Sequence, residues 1–197
     1  MDVKRFFEQR FRQYGRSPKA LDWSKEGQTR RFEVLADVGD LSGRRILDLG
    51  SGLGDLFGFL SSRFPGVTYT GYEWSDVLVG EARRKYPNAT FEIRDVLKED
   101  FSGDFDFVLS SGLHNLETGT NDEDIERLLQ KAWKVAGEGV ALNMLSIYAD
   151  RVRDGCHKYD PQRVLSAALK LTRHVVLRHD YMPHDFTLYL YKEPTKT

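Results

Sequence analysis

The chain is predicted to fold as a doubly wound α/β domain. It has a mostly parallel seven-stranded sheet with an antiparallel last strand, plus N-terminal helices. Three observations predict this. From Arg45 onward, short apolar or β-branched runs alternate with segments of helical period. A glycine-rich bend, Gly50-Ser51-Gly52-Leu53-Gly54, follows the first of those runs. The last two runs are joined by too few residues for a parallel crossover, which turns the final strand antiparallel.

Each element has its own signal. Val3, Phe6, Phe7 and Phe11 recur at helical spacing over 3–14, and Gly15 and Pro18 end that helix. A second helix runs over 25–38, with Phe32, Leu35 and Val38 on one side. The strand at 45–49 (RILDL) leads through the glycine bend into a helix at 56–64, which Pro65-Gly66 closes. A strand at 67–74 (VTYTGYEW) is rich in β-branched and aromatic residues. Ser75 caps the next helix, which Pro87-Asn88 stops. Strands follow at 89–94 and 105–110. Asn121 opens a long helix to about Ala136, with acids in its first turn and lysines near its end. A strand at 139–145 precedes a helix that Asp160-Pro161 starts. Strands at 174–179 and 186–192 are joined by residues 180–185. The order of the strands in space does not follow from this pattern.

Composition removes several function classes. At 197 residues the chain suits one domain, with an N-terminal helical arm at 1–43 and the sheet-bearing body at 44–197. Its 29 basic and 30 acidic residues leave a net charge of −1, without the basic excess of a protein living on phosphate contacts. The one cysteine, Cys156, can build neither an intramolecular disulfide nor a cysteine zinc site, and fits a reducing compartment. The charged, amphipathic N-terminus does not read as a secretory signal, and no stretch has the apolar length of a membrane span. The expectation is a cytoplasmic protein with no membrane partner.

The glycine bend places backbone amides at a helix start beside the carboxyl ends of the strands, where open α/β sheets bind ligands. A dinucleotide loop needs a third glycine or alanine for helix–strand packing. That slot holds Asp55 counted from Gly50, or Phe57 counted from Gly52. A carboxylate at Asp55 would also repel pyrophosphate. The G-x-G-x-G bend, with Asp48 two positions before it, suits a zwitterion better than a phosphate.

With these residues in view, the chain resembles the class I S-adenosylmethionine-dependent methyltransferases, a family of Rossmann-like fold. The resemblance spans about 45–192 and has four landmarks in order: ILDLGSGLGD at 46–55, Glu73, Arg94-Asp95-Val96, and FDFVLSSGLHNL at 105–116. The closing strand DFTLYLYK is similar to the family's seventh. The resemblance implies S-adenosyl-L-methionine as cofactor and S-adenosyl-L-homocysteine as product. It places Asp48, Gly50, Ser51, Gly52 and Gly54 in the cradle. Glu73 is implied on the ribose hydroxyls, Asp95 and Val96 at the adenine, and Ser110 beside the methionine part. Trp74 either stacks on adenine or packs in the core or a lid. N-terminal extensions in the family often fold over the cofactor. Arg31 is therefore the candidate partner of the methionine carboxylate, a solvated helix arginine being the alternative. Tyr14 and Trp23 either close the substrate pocket or pack.

Methyl transfer from a sulfonium is an in-line displacement in which the protein supplies alignment and, where needed, a base. Candidates follow the strand ends: Ser110, Ser111, His114 and Asn115; then Tyr148, Asp150, His157 and Tyr159; then His179, Tyr181 and His184. Histidine suits a base near neutral pH, which puts His114 first, with His184 and Tyr181 as pocket partners. Metal-ligand spacing is missing, and no metal is expected. The Asn/Asp-Pro-Pro-Tyr/Phe signature of nucleic-acid base methylation is absent at 110–113, so a nucleic-acid acceptor is disfavoured. The expected partner is a small-molecule acceptor methylated at oxygen or nitrogen. A protein or peptide acceptor and a non-catalytic cofactor-binding subunit stay as alternatives. The missing third glycine argues against a nicotinamide-dependent oxidoreductase. Oligomeric state is not legible.

Overall fold

A computed structural model describes residues 3–113, 115–150 and 152–194. At its centre, β1 (Arg45–Leu49) pairs in parallel with β2 (Thr68–Glu73) on one side and β4 (Phe105–Ser111) on the other. β2 continues to β3 (Thr90–Ile93), and β4 to β5 (Ala136–Leu145). β7 (Asp185–Tyr191) then slots antiparallel between β5 and β6 (Val175–Met182). The sheet order is β3-β2-β1-β4-β5-β7-β6. The chain leaves β1 toward one edge and returns to β4 on the other side, so the carboxyl ends of β1 and β4 flank a topological switch point.

Alternation along the strands sorts side chains onto two faces. Ile46, Phe107 and Leu109 join one core with α2 (Lys25–Ala36), α3 (Asp55–Arg63) and α4 (Asp76–Lys85). Leu47, Leu49 and Val108 join the other with α5 (Asn121–Val135) and α6 (Pro161–Leu169). Helix starts are set locally. Ser24 and Ser75 accept the Gly27 and Leu78 amides, and Asp160 accepts that of Gln162 just ahead of Pro161. Such a cap is worth about 1 kcal/mol.

α1 (Val3–Tyr14) and a 3-10 turn (Pro18–Leu21), the latter not expected from the sequence, form the arm. Ala20 buries with Leu53 and Leu78, and Phe7, Phe11, Tyr14 and Leu21 pack on them. Lys4 pairs with Asp76 at 3.0 Å, Arg16 pairs with Glu81, and Ser75 Oγ donates to Glu8 at 3.0 Å. Asp22, at a left-handed φ of 66°, pairs with Arg10 at 2.9 Å and Arg153 at 2.8 Å. α2 belongs to the body's packing, because Val34 and Leu35 are fully buried against the sheet. Within the described residues 3–43, α1 clasps the body and α2 enters its core.

The terminal hairpin is tighter than its polar sequence implies. Only Pro183 and His184 separate β6 from β7, and a bulge between Arg178 and Met182 absorbs the surplus residues. β6 is an edge strand, where charged residues such as Asp180 are tolerated.

Candidate active site

The bend after β1 is tied to the end of β2. The Gly50 and Ser51 amides both donate to the Tyr72 carbonyl, at 2.9 and 3.0 Å. The Glu73 carboxylate accepts the Gly52 amide at 3.1 Å on one oxygen and the Ser75 amide at 2.9 Å on the other. Burial raises its pKa, and the amide hydrogen bonds oppose that rise. Gly50 takes φ 78°, and a Cβ there would lie 2.5 Å from Leu113 Cδ1. Gly52 takes φ 52°, and its Cβ would lie 2.9 Å from Leu21 Cδ1. Only glycine lets the backbone hold this course between the post-β4 segment and the arm.

Asp48 lies beneath the bend, buried. The Tyr69 hydroxyl donates to its Oδ2 at 2.5 Å, and its Oδ1 has no hydrogen-bond partner among the described residues. Burial pushes its pKa up to about 7, the Tyr69 hydrogen bond pulls the other way, and the nearby Glu73 charge adds to the rise. A half-satisfied buried carboxylate in a cavity wall is a ready acceptor for a cationic group.

These residues wall a cavity of about 330 Å³. One half lies beyond β2 and β3, lined by Tyr72, Glu73, Trp74, Arg94, Asp95 and Val96. The other lies beyond β4, β5 and the terminal hairpin, lined by Trp23, Gln28, Arg31, Ser111, Asn115 and His184. Leu21, Asp22, Val152, Arg153 and Cys156 also contribute to the wall, from the arm and the post-β5 segment. Arg94 and Arg153 are engaged, the first with Glu92 at 3.0 Å and the second with Asp22.

Of the sequence candidates, Arg31, Asp48, Gly50, Ser51, Gly52, Glu73, Trp74, Asp95, Val96 and His184 line this one cavity. Gly54 lies outside the lining, at the N-cap of α3, where a Cβ would meet Phe91 at 2.6 Å. Asp95 Oδ1 accepts the Leu97 amide at 3.2 Å, as a turn former does. Ser110 is turned from the lining, donating to the Leu49 carbonyl at 2.8 Å; its neighbour Ser111 lines the cavity instead. Strand alternation accounts for this one-residue exchange. Tyr181 also lies outside the lining, its hydroxyl 2.8 Å from Thr187 Oγ1. His114 lies outside the described residues. His157 is held between Glu117 at 2.9 Å and Asp122 at 3.2 Å, Tyr159 is buried in the core, and Tyr148 is exposed against His179. Tyr14 packs in the arm, whereas Trp23 faces the cavity.

Sequence reasoning did not single out Asp185. It is fully buried at the start of β7, with Oδ2 2.5 Å from Arg31 Nε. An aspartate beside a predicted turn carries no signal of burial. It also did not foresee Arg153 and Cys156 in the wall, because long-range contacts such as the pairing of Leu116 with Cys156 bring their loop to the post-β4 segment.

Residues 46–139 match the family described as Methyltransferase domain. The chain is 27% identical to Rv1506c of Mycobacterium tuberculosis over 157 residues, covering 75% of this chain and 92% of that protein. It is 36% identical over 84 residues to the trans-aconitate 2-methyltransferase of Variovorax paradoxus, covering 39% of this chain and only 32% of that enzyme. Its fold superposes on the DhpI–SAH complex with a TM-score of 0.71 at 16% identity, covering 98% and 96% of the two chains. The matched domain begins in β1 and contains the glycine bend, Glu73 and the β4 motif; with the fold of the structural neighbours, this match supports a class I S-adenosylmethionine-dependent methyltransferase.

Proposed function

We propose that the protein binds S-adenosylmethionine in this cavity and transfers its methyl group to an oxygen or nitrogen of a small molecule. The observation that carries the reading is the buried Glu73 carboxylate, locked to the glycine bend through the Gly52 amide at the switch point of the sheet. The residues present fit a zwitterionic nucleoside. Glu73 offers acceptors for the ribose hydroxyls, Asp48 Oδ1 awaits a cation such as the amino-acid ammonium, and Arg31 is a cation for the carboxylate. Trp74, Val96 and Asp95 supply the adenine end, two of them by contact and Asp95 by its carboxylate or the turn it forms.

When bound, the cofactor supplies an activated methyl group. The chain's own task is to align the acceptor, exclude water and hold a proton where the acceptor loses one. His184 in the wall and His114 are the candidate bases. Tyr181, joined to Thr187, supports the hairpin that carries His184. The wall beyond β4 and β5 is mainly apolar, with Trp23, Leu113, Leu116, Leu145 and Val152 around Asn115 and His184. Such a lining favours a compact, partly apolar acceptor over an extended polymer. The small-molecule activity in the name of the Variovorax relative is in keeping with this. No helix among the described residues is long and apolar enough to cross a membrane, and the reading keeps a cytoplasmic setting.

Calorimetry with S-adenosylmethionine, S-adenosylhomocysteine and NAD is the first test. Micromolar binding of the first two and none of NAD is expected. Transfer of labelled methyl to pooled acids, phenols, amines and peptides then separates the acceptor classes. Binding without transfer to any pool would favour the non-catalytic subunit, and no binding at millimolar ligand would end the assignment.

A further inference from the structure

The Arg31–Asp185 pair is poorly explained as a stabilising contact. Asp185 is fully buried and Arg31 nearly so, with Nε 2.5 Å from Oδ2. Yet among the described residues the arginine Nε makes no aligned hydrogen bond, and neither oxygen of Asp185 has one. Buried ion pairs offset their desolvation only when such bonds are complete, so this pair gains the fold little. Other cavity cations differ. Arg94 and Arg153 make aligned hydrogen bonds to Glu92 and Asp22, and their side chains are far more exposed.

What surrounds Arg31 fixes its plane. The Trp23 ring centroid lies 4.9 Å from the guanidinium carbon. Gly27, one turn earlier in α2, leaves room for the group, since a Cβ there would sit 3.1 Å from Arg31 Nη1. Asp185 takes the Nε edge. A guanidinium has five N–H donors in a fixed fork, and an acid at one edge leaves the other for a second acceptor. Arg31 lines the cavity, as does His184, the residue before Asp185. The register also sets Asp185 opposite Leu145, another residue of the wall.

On the footing of the cofactor assignment above, we infer that Asp185 is a positioning residue. From the terminal hairpin it holds Arg31 so that the free edge of the guanidinium clasps the carboxylate of the cofactor's amino-acid part. The β6–β7 turn and α2 thereby join in reading the methionine end, far in sequence from the glycine bend.

The test compares S-adenosylhomocysteine with 5′-methylthioadenosine, which keeps the nucleoside and thioether but lacks the amino-acid carboxylate. Binding of both is measured by calorimetry for the native protein, for Asp185→Asn, and for Arg31→Met combined with Asp185→Leu. The double variant removes both charges and should fold even where a lone buried arginine does not. Both variants should lose at least about tenfold in S-adenosylhomocysteine affinity, the scale of a charge-assisted hydrogen bond. Methylthioadenosine affinity should stay within about twofold, since nothing in its structure meets Arg31 through a carboxylate. The inference is overturned if Asp185→Asn binds S-adenosylhomocysteine as tightly as or more tightly than the native protein. Equal weakening of both ligands, or a double variant that keeps the native preference, overturns it as well. Native protein that binds neither nucleoside overturns the cofactor assignment itself, a distinct result.

Discussion

The amide of Gly52 donates to the carboxylate of Glu73 across 3.1 Å, linking the bend after β1 to the end of the neighbouring strand. One side chain therefore both shapes the cradle and offers the acceptor that a ribose would need. Glu73→Ala should weaken S-adenosylhomocysteine binding at least about tenfold, because charge-assisted hydrogen bonds are lost and the bend loses its anchor. Glu73→Gln, which keeps one good acceptor, should weaken it less. Calorimetric affinities that are the same for all three proteins would remove Glu73 from the site.

Asp48 makes the protein sensitive to pH. Its carboxyl titrates near 3.9 in an unfolded chain and is pushed up to about 7 in the fold, chiefly by burial. Between those values the native state holds a proton that the unfolded state has released. This contribution to stability is thus fully present below about pH 4 and is lost as pH rises through about 7. Asp48→Asn should flatten the fall in urea midpoint between about pH 4 and 7. If the ionised form receives the cofactor's ammonium, S-adenosylhomocysteine affinity should rise over the same interval in the native protein and stay level in Asp48→Asn.

Gly50→Ala should be costly for two reasons that act together. The residue sits at φ 78°, and the added Cβ would lie 2.5 Å from Leu113 Cδ1. A loss of about 1–3 kcal/mol is expected in chemical denaturation, with cofactor binding abolished. Gly80→Ala is the control, since a Cβ there meets nothing within 4 Å and the residue lies inside α4. That change should leave binding intact and slightly stabilise the helix.

Asp22 bridges the arm to the post-β5 segment through Arg153, and Arg153 also lies over Phe6 at 5.2 Å. Partly exposed pairs of this kind contribute only about 0–1 kcal/mol. Arg153→Gln should leave the melting temperature nearly unchanged but loosen α1 and the turn after it. Limited proteolysis should then cut between 15 and 24 several times faster, and bound S-adenosylhomocysteine should restore protection. Equal cutting rates in the two proteins would show that the latch does not hold the arm.

The alternation of apolar runs with helical segments, the bend at Gly50 to Gly54 and the helix starts at Ser75 and Asp160 were all readable, because each depends on neighbours within a few residues; the Ser24 cap was not read. Glu73 and Asp48 became candidates through the resemblance, which places an acid at the end of β2 and one before the glycine bend. The 3-10 turn at Pro18 escaped because Ser17 and Pro18 read equally well as a simple break. The exchange of Ser110 for Ser111 escaped because the face of a strand is set by its register with β5, which no local pattern states. Tyr181 was placed in a turn, whereas the bulge in β6 folds it onto Thr187.

By itself, then, the order of residues decided the class of fold and the place of the glycine bend, both consequences of short-range periodicity and backbone freedom. Only the tertiary structure decided that β4 lies beside β1, that α1 is clasped to α4 while α2 enters the core, and that Asp185 meets Arg31 across 154 residues of chain. Such contacts arise when distant apolar faces are buried together. The partner of a charge at one end of the chain is then set by how the whole sheet packs.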